Sequence, residues 1–280
     1  MNNQKLLISF LKRNFPDMAV TFDEGIGIAS ERYFMAILIK RIMKLCKIKS
    51  VLESPADGSM GIPGLNSVFF ARNEASVCVS SPYKPILSNA KKFWLKLKLG
   101  RKVRFVYDPK CNYPFKKESF DLVWNSCLFE HFSEDELLPK MIKVSRRWIF
   151  VVGQSKFNWG YPIHLWYHRI NKQVWDHGLS NLMNFWRVKK LFKKYDLKIV
   201  LSGLIDIPPW LDTFDMHTRG LGKKFVKNDS DWYWSALQEG DVDKLSRNGY
   251  IKFLDIFQKL LFFPLNFVFG HHYYILARKK

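Results

Sequence analysis

The sequence predicts an α/β fold built on a mostly parallel sheet with helices on both faces. Three observations carry this. Apolar runs of strand length recur along the chain, and segments of helical periodicity separate them. The chain has 280 residues, 48% hydrophobic and 16% aromatic, which is enough for one large core and excludes a disordered composition. Two stretches, 154–181 and 207–270, break the alternation and are rich in Trp, Tyr, Phe, Pro and His. They are expected to form a cap beside the strand ends of a single domain, 1–280.

The elements follow in order. Residues 1–14 and 29–48 read as N-terminal helices; in the second, Phe34, Leu38, Ile42 and Leu45 recur on one face with Lys40, Arg41 and Lys44 opposite. "SVLES" (50–54) is a short strand that opens the half expected to bind a cofactor, 50–153. "GIPGLNSVFFAR" (61–72) reads as a helix with a proline tolerated near its start, "ASVCVSS" (75–81) as a strand, 87–99 as a helix and "KVRFVYD" (102–108) as a third strand. "FDLVWNS" (120–126) is a fourth strand. Ser133 and Glu136 have capping-box spacing and predict a helix over 134–145. Strands at 147–153, 197–206 and 271–279 and a helix at 182–195 complete the pattern. Parallel strands alternating with helices bind ligands at their carboxyl ends, near the point where strand order reverses.

Charge and cysteine usage narrow the surroundings. The formal net charge is +20, and between Glu74 and Asp108 there are eight Lys or Arg and no acid. Such a face attracts phosphates and anionic membrane surfaces, or is simply a solvated helix face. Cys46, Cys78, Cys111 and Cys127 are scattered with no C-x-x-C, which reads as reduced thiols in a cytoplasmic protein and no zinc site. Lys12 and Arg13 interrupt the apolar start, so no secretory signal is expected. The longest uncharged run, 260–277, contains Pro264, Gly270, His271 and His272 and is not expected to span a bilayer.

The stretch "VLESPADGSMGIPG" (51–64) runs from a strand into a glycine-bearing loop, but it lacks the G-x-G-x-x-G of a dinucleotide site. A nicotinamide dehydrogenase is therefore disfavoured. About 60 residues later comes "YPFKKESFDLVWNSCLFEHF". Pro114-Phe115, Ser119-Phe120-Asp121-Leu122-Val123 and Leu128-Phe129-Glu130-His131, taken with the first loop and the terminal "GHHYYILARKK", resemble the class I S-adenosylmethionine-dependent methyltransferases. The resemblance extends loosely over residues 30–206. It implies a Rossmann-like, doubly wound sheet of seven strands with the last one reversed. It also implies S-adenosyl-L-methionine as cofactor and a methyl acceptor as substrate.

The resemblance assigns site residues. The family's loop is E-x-G-x-G-x-G; here Glu53 keeps the acid, Pro55, Asp57 and Ser59 replace the glycines, and Gly58 and Gly61 lie close by. Glu53 is expected to face the cofactor's ammonium, or else to be a salt-bridged strand-end acid. Ala56, Asp57, Gly58 and Gly61 are expected to wrap the methionine portion, with amides of 57–61 toward its carboxylate. Where the family has an acid on the ribose hydroxyls, this chain has Ser80 and Ser81. Asp108 is placed near the adenine, or starts a turn before Pro109. Asn125 and Ser126 would line the sulfonium region through backbone carbonyls. Tyr33 either covers the cofactor or belongs to the core.

Methyl transfer to an acceptor that must lose a proton needs a base. His131 is the candidate, the alternative being a structural role for the Glu130-His131 pair. His164, His168, Asp176, His177, Asp206, Trp210 and Asp212 are acceptor-side candidates. His164 and His168 are four apart, on one helix face, but H-E-x-x-H is absent and no metal is expected. The aromatic cap suits a small-molecule or lipid-linked acceptor. An amphipathic segment at 250–263, with Phe253, Leu254, Phe257, Leu260 and Leu261 beside Lys252 and Lys259, either lies on a bilayer or packs in the core. The expected location is the cytoplasm, with peripheral membrane contact. A nucleic-acid methyltransferase is the second reading, supported by charge but lacking an N-P-P-Y tetrapeptide and an appended RNA-binding module. A non-catalytic binding relative is the third, motivated by the altered loop. Oligomeric state is not legible.

Overall fold

A computed structural model describes residues 25–56, 64–172, 174–175, 177–208, 246–247 and 249–280. The expected helix at 1–14 lies outside the described residues. The elements are α1 (Gly25–Leu45), β1 (Ser50–Glu53), α2 (Ser67–Arg72), β2 (Ser76–Ser81), α3 (Lys84–Lys96), β3 (Val103–Tyr107), β4 (Phe120–Ser126), α4 (Leu137–Val144), β5 (Ser145–Gln154), α5 (Gly160–Ile170), α6 (Phe185–Lys194), β6 (Lys198–Ile205), α7 (Gly249–Leu260), α8 (Leu265–Phe269) and β7 (His272–Arg278).

The seven strands form one sheet in the order β3-β2-β1-β4-β5-β7-β6. The pairs β1–β2, β1–β4, β2–β3 and β4–β5 are parallel, whereas β7 runs antiparallel to both β5 and β6. The reversed last strand was expected. Val51, Leu52, Leu122, Val123, Ile149, Phe150, Val151 and Val152 are all fully buried, so the central strands are covered on both faces, as a parallel sheet requires. The indole of Trp124 stacks on Phe150 at 5.7 Å and meets Phe70 edge-on at 5.8 Å, which ties β4 to β5 and to α2.

Several predicted elements differ in detail; the helix expected over 87–99, for example, spans Lys84–Lys96. The helix expected over 61–72 spans only Ser67–Arg72 among the described residues. Gly64 stands before it at φ +77°, where a Cβ would come within 2.9 Å of Val79. The expected capping box does not form: the helix starts at Leu137, after Glu136, with no side-chain cap. Neighbouring acids are drawn elsewhere. Glu134 accepts from the Arg187 guanidinium and from Asn181, and Asp135 accepts from Lys194 and from the Tyr195 hydroxyl. Glu136 itself reaches one turn forward to Lys140. The helix expected from 182 begins at Phe185 because Asn184 caps it, its Oδ1 accepting from the amides of Trp186 (3.0 Å) and Arg187 (3.2 Å).

The 250–263 segment packs one side into the core and leaves apolar side chains exposed on the other. Ile251 and Leu254 are buried, whereas Phe253, Ile256, Leu260, Phe262 and Phe263 are exposed, the last three by about two thirds or more (72%, 69% and 67%). Among the described residues no helix is long and apolar enough to cross a membrane. None of the four cysteines forms a disulfide, and all are buried.

Candidate functional site

The strand order turns back between β1 and β4, so their carboxyl ends flank a crevice at the switch point. Hydrogen bonds on both sides position the chain leaving β1. The amide of Ser54 donates to Trp124 O at 3.1 Å, and that of Ala56 to Ser80 O at 2.6 Å. Pro55 O accepts from Asn125 Nδ2 at 2.8 Å, while Asn125 Oδ1 accepts from the amide of Leu128 at 3.3 Å. The Tyr113 hydroxyl donates to Ser54 O. The exits of β1 and β4 are thus locked together before the loop begins.

Glu53 ends β1 and is 2% exposed. Its Oε2 accepts from the Ser67 hydroxyl at 2.6 Å and its Oε1 from the Gly64 amide at 3.3 Å. Ser67 Oγ in turn accepts from Trp124 Nε1 at 3.0 Å. A buried carboxylate at the crevice is therefore held by the far end of the glycine-bearing loop. Asp57, Gly58 and Gly61 lie outside the described residues; Ala56 is buried beside Ser80.

The two serines ending β2 separate into different roles. Ser81 Oγ accepts from the Tyr83 amide at 3.1 Å and so serves the turn into α3. Ser80 Oγ is buried and finds no hydrogen-bond partner among the described residues. Asp108 takes the turn reading: its two oxygens accept from the amides of Asn112 (3.0 Å) and Tyr113 (2.8 Å). Those bonds shape the loop that carries Tyr113 to Ser54. Ser126 Oγ lies 3.9 Å from Cys127 Sγ. Tyr33 packs edge-on against Phe34 in the buried core, which favours the core reading.

His131 follows β4 in a single 3-10 turn, Phe129–His131, and is 5% exposed. Burial, with His177 adding to it, pushes its pKa down to about 3. At neutral pH the imidazole is uncharged and very weakly basic, which argues against the expected general-base role. Glu130 is structural: Oε1 accepts from the Gln154 amide at 3.3 Å and its carbonyl accepts from the Leu179 amide at 2.7 Å.

On the acceptor side, α5 and the chain after it gather His164, His168 and His177 around Trp175. Asp176, Trp210 and Asp212 lie outside the described residues. Asp206, just past β6, is buried; its Oδ2 is 3.0 Å from His271 Nδ1, and Ser30 Oγ donates to Oδ1 at 3.5 Å. His272 Nδ1 is 3.4 Å from Glu31 Oε1, also buried. The sequence reading did not single out His271, His272 or Glu31. A signal existed, because a reversed last strand beside β6 places its first residues against the end of β6, and the register is Ile205 opposite His272.

Comparison with solved structures now adds the context of the sheet. The magnesium protoporphyrin IX methyltransferase of Synechocystis, with SAH bound, superposes with a TM-score of 0.54 at 10% identity over 100% of both chains. The fold is that of the class I methyltransferases. A putative sarcosine dimethylglycine methyltransferase from Galdieria sulphuraria gives 0.54 at 12% identity, covering 100% of this chain and 99% of that one. Geranyl diphosphate C-methyltransferase from Streptomyces coelicolor, in complex with Mg2+, geranyl diphosphate and S-adenosyl-L-homocysteine, gives 0.53 at 12% identity with 100% and 99% coverage. No protein-family model matches the sequence, and neither does any curated protein.

Proposed function

We propose that this chain transfers the methyl group of S-adenosyl-L-methionine to a small-molecule or lipid-linked acceptor presented at a membrane surface. The observation that carries the reading is the pair of buried polar groups at the switch-point crevice, the Glu53 carboxylate and the Ser80 hydroxyl, the latter without a hydrogen-bond partner among the described residues. A buried hydroxyl without a partner is destabilising by about 1–3 kcal/mol, so a ligand that completes its hydrogen bonding gains specificity from it. The residues present fit the cofactor: a carboxylate for an ammonium, a hydroxyl for a ribose hydroxyl and the strand-end backbone of Asn125 and Ser126 for the sulfonium region. Once bound, S-adenosyl-L-methionine supplies an already activated methyl group.

The chain's own residues then position and deprotonate the acceptor. Asp206 Oδ2 lies 3.0 Å from His271 Nδ1 and orients the imidazole, which makes His271 the candidate base. In this role His271 replaces His131. The acceptor's apolar part suits the exposed face of Phe253, Ile256, Leu260, Phe262 and Phe263, and Lys252 and Lys259 suit anionic headgroups. A second reading, an RNA methyltransferase, draws on the +20 net charge.

The test is incubation of the full chain with methyl-labelled cofactor, anionic vesicles and fractionated cell extract. Label in a lipid or small-molecule fraction is the expected result. Label in RNA, with binding that falls steeply with salt, moves the assignment to the second reading. Cofactor binding without transfer to any fraction overturns both in favour of a binding protein.

A further inference from the structure

We propose that His164, His168 and His177 form a binding site for a first-row transition-metal ion, zinc being the natural occupant. The inference does not depend on the methyl-transfer reading. Among the described residues this is the one group of three potential metal ligands whose donor atoms lie together, all within 4.8 Å of one another. It also revises the expectation of no metal, which weighed His164 and His168 without His177.

The sequence builds the site in two steps. Helix α5 places His164 and His168 four residues apart on one face, with ring centroids 5.0 Å apart. The chain then turns back and delivers His177, whose ring lies 4.6 Å from His164 and 5.0 Å from His168. The return is fixed by backbone rather than by side-chain chance. Gly178 stands at φ +100°, where a Cβ would lie 2.6 Å from Glu130 O, and the next amide, Leu179, donates to that same carbonyl at 2.7 Å. Trp175 packs against all three imidazoles at 5.5, 5.3 and 4.7 Å and donates from Nε1 to Gly178 O at 3.0 Å. The rings are thus held from one side by an indole that offers no ligand atom of its own.

The spacing suits zinc. Zinc–imidazole bonds of ~2.0–2.1 Å in a tetrahedron put ligand nitrogens roughly 3.3 Å apart. His168 Nε2 and His177 Nε2 are 3.1 Å apart. His164, partly exposed, offers a ring nitrogen within 4.8 Å of the other two donor atoms. Three neutral imidazoles select zinc, copper or nickel over magnesium, which prefers oxygen ligands. Three protein ligands leave a fourth position for water or an incoming donor atom.

The experiment is direct metal binding by the full-length chain, stripped with a chelator and titrated with Zn2+ against a chromophoric competitor, then with Co2+ as a spectroscopic probe. One Zn2+ per chain is expected, with a tetrahedral Co2+ spectrum and no competition from Mg2+. His177→Gln and His168→Gln should each weaken Zn2+ by more than about 100-fold, beyond the usual cost of losing an outer-shell partner. Because those two side chains are buried and their loss threatens folding, His164→Gln is the deciding variant; it should weaken Zn2+ at least tenfold with an unchanged circular dichroism spectrum. Trp175→Phe should keep one ion per chain. Sub-stoichiometric Zn2+ in the parent chain, or unchanged affinity in His164→Gln, overturns the proposal.

Discussion

The two edges of the sheet are built in different ways. At the amino edge, polar groups are partly exposed and tie strand starts together. Asp121 Oδ2 accepts from the amides of Lys49 (2.9 Å) and Ser50 (3.0 Å), and Oδ1 pairs with Arg146 at 3.0 Å. Lys279 donates to Ser145 O at 2.7 Å and to Glu118 at 3.2 Å. At the carboxyl edge, Glu53, Ser80, Asn125, Glu130, His131, Asp206, His271 and His272 are all buried. Exposed pairs contribute about 0–1 kcal/mol each and are easily replaced. Buried polar groups are destabilising unless partnered, so the network at the carboxyl edge is more sensitive to substitution than the exposed pairs at the amino edge.

Substitutions at the two edges should differ accordingly, and the largest effect is expected at the carboxyl edge. Glu53→Ala strips the carboxylate from the Ser67 hydroxyl and the Gly64 amide. It should lower stability by roughly 2–4 kcal/mol in chemical denaturation, since two buried donors are left unpaired. Gly178→Ala combines a left-handed φ with a clash against Glu130 O. A loss of about 2–3 kcal/mol is expected, with protease sensitivity increasing around 174–179. Asn125→Ala frees Pro55 O and the Leu128 amide. About 1–3 kcal/mol should be lost, and cofactor affinity should fall with it because the exits of β1 and β4 separate. A stability change in any of these no larger than at the amino edge would erase the contrast.

Asp121→Asn gives the smallest effect, and its pH dependence has a definite sign. Burial pushes the Asp121 carboxyl up, but the Lys49 amide, the Arg146 side chain and Ser50 outweigh it and hold it below the usual carboxylate range. A depressed folded-state pKa stabilises above the unfolded value near 3.9, and the benefit disappears as pH falls through the folded value. Parent and variant should therefore differ by about 1 kcal/mol or less at pH 7 and converge below about pH 4, as read by thermal melts across pH.

Much of the fold was legible because periodicity and strand length report burial directly. The fourth strand, "FDLVWNS", was placed residue for residue, since continuous apolar sequence between turn signals leaves little freedom. Helix starts were less legible. The Ser133–Glu136 spacing looked like a cap, but partners more than fifty residues on, Arg187 and Lys194, reach the acids beside it, and no local pattern encodes them. At the site, the burial of Glu53 was legible from its place at the end of a buried strand. The surroundings of Asp108 and His131 were less legible because only the folded chain brings them together: Asp108 meets the amides four and five residues on, and His131 is buried near His177. His271 and its Asp206 partner are 65 residues apart, and only the reversed strand joins them.

The most direct measurement is calorimetric titration of the full chain with S-adenosyl-L-homocysteine, alongside Glu53→Gln and Ser80→Ala. Glu53→Gln keeps an acceptor for Ser67 and removes the charge; Ser80→Ala removes only a hydroxyl that has no partner within the described residues. The account predicts one site in the parent chain, affinity at least tenfold weaker in Glu53→Gln and several-fold weaker in Ser80→Ala, and melting temperatures within a few degrees of the parent for both. No binding heat in the parent, or equal affinity in all three, would contradict it.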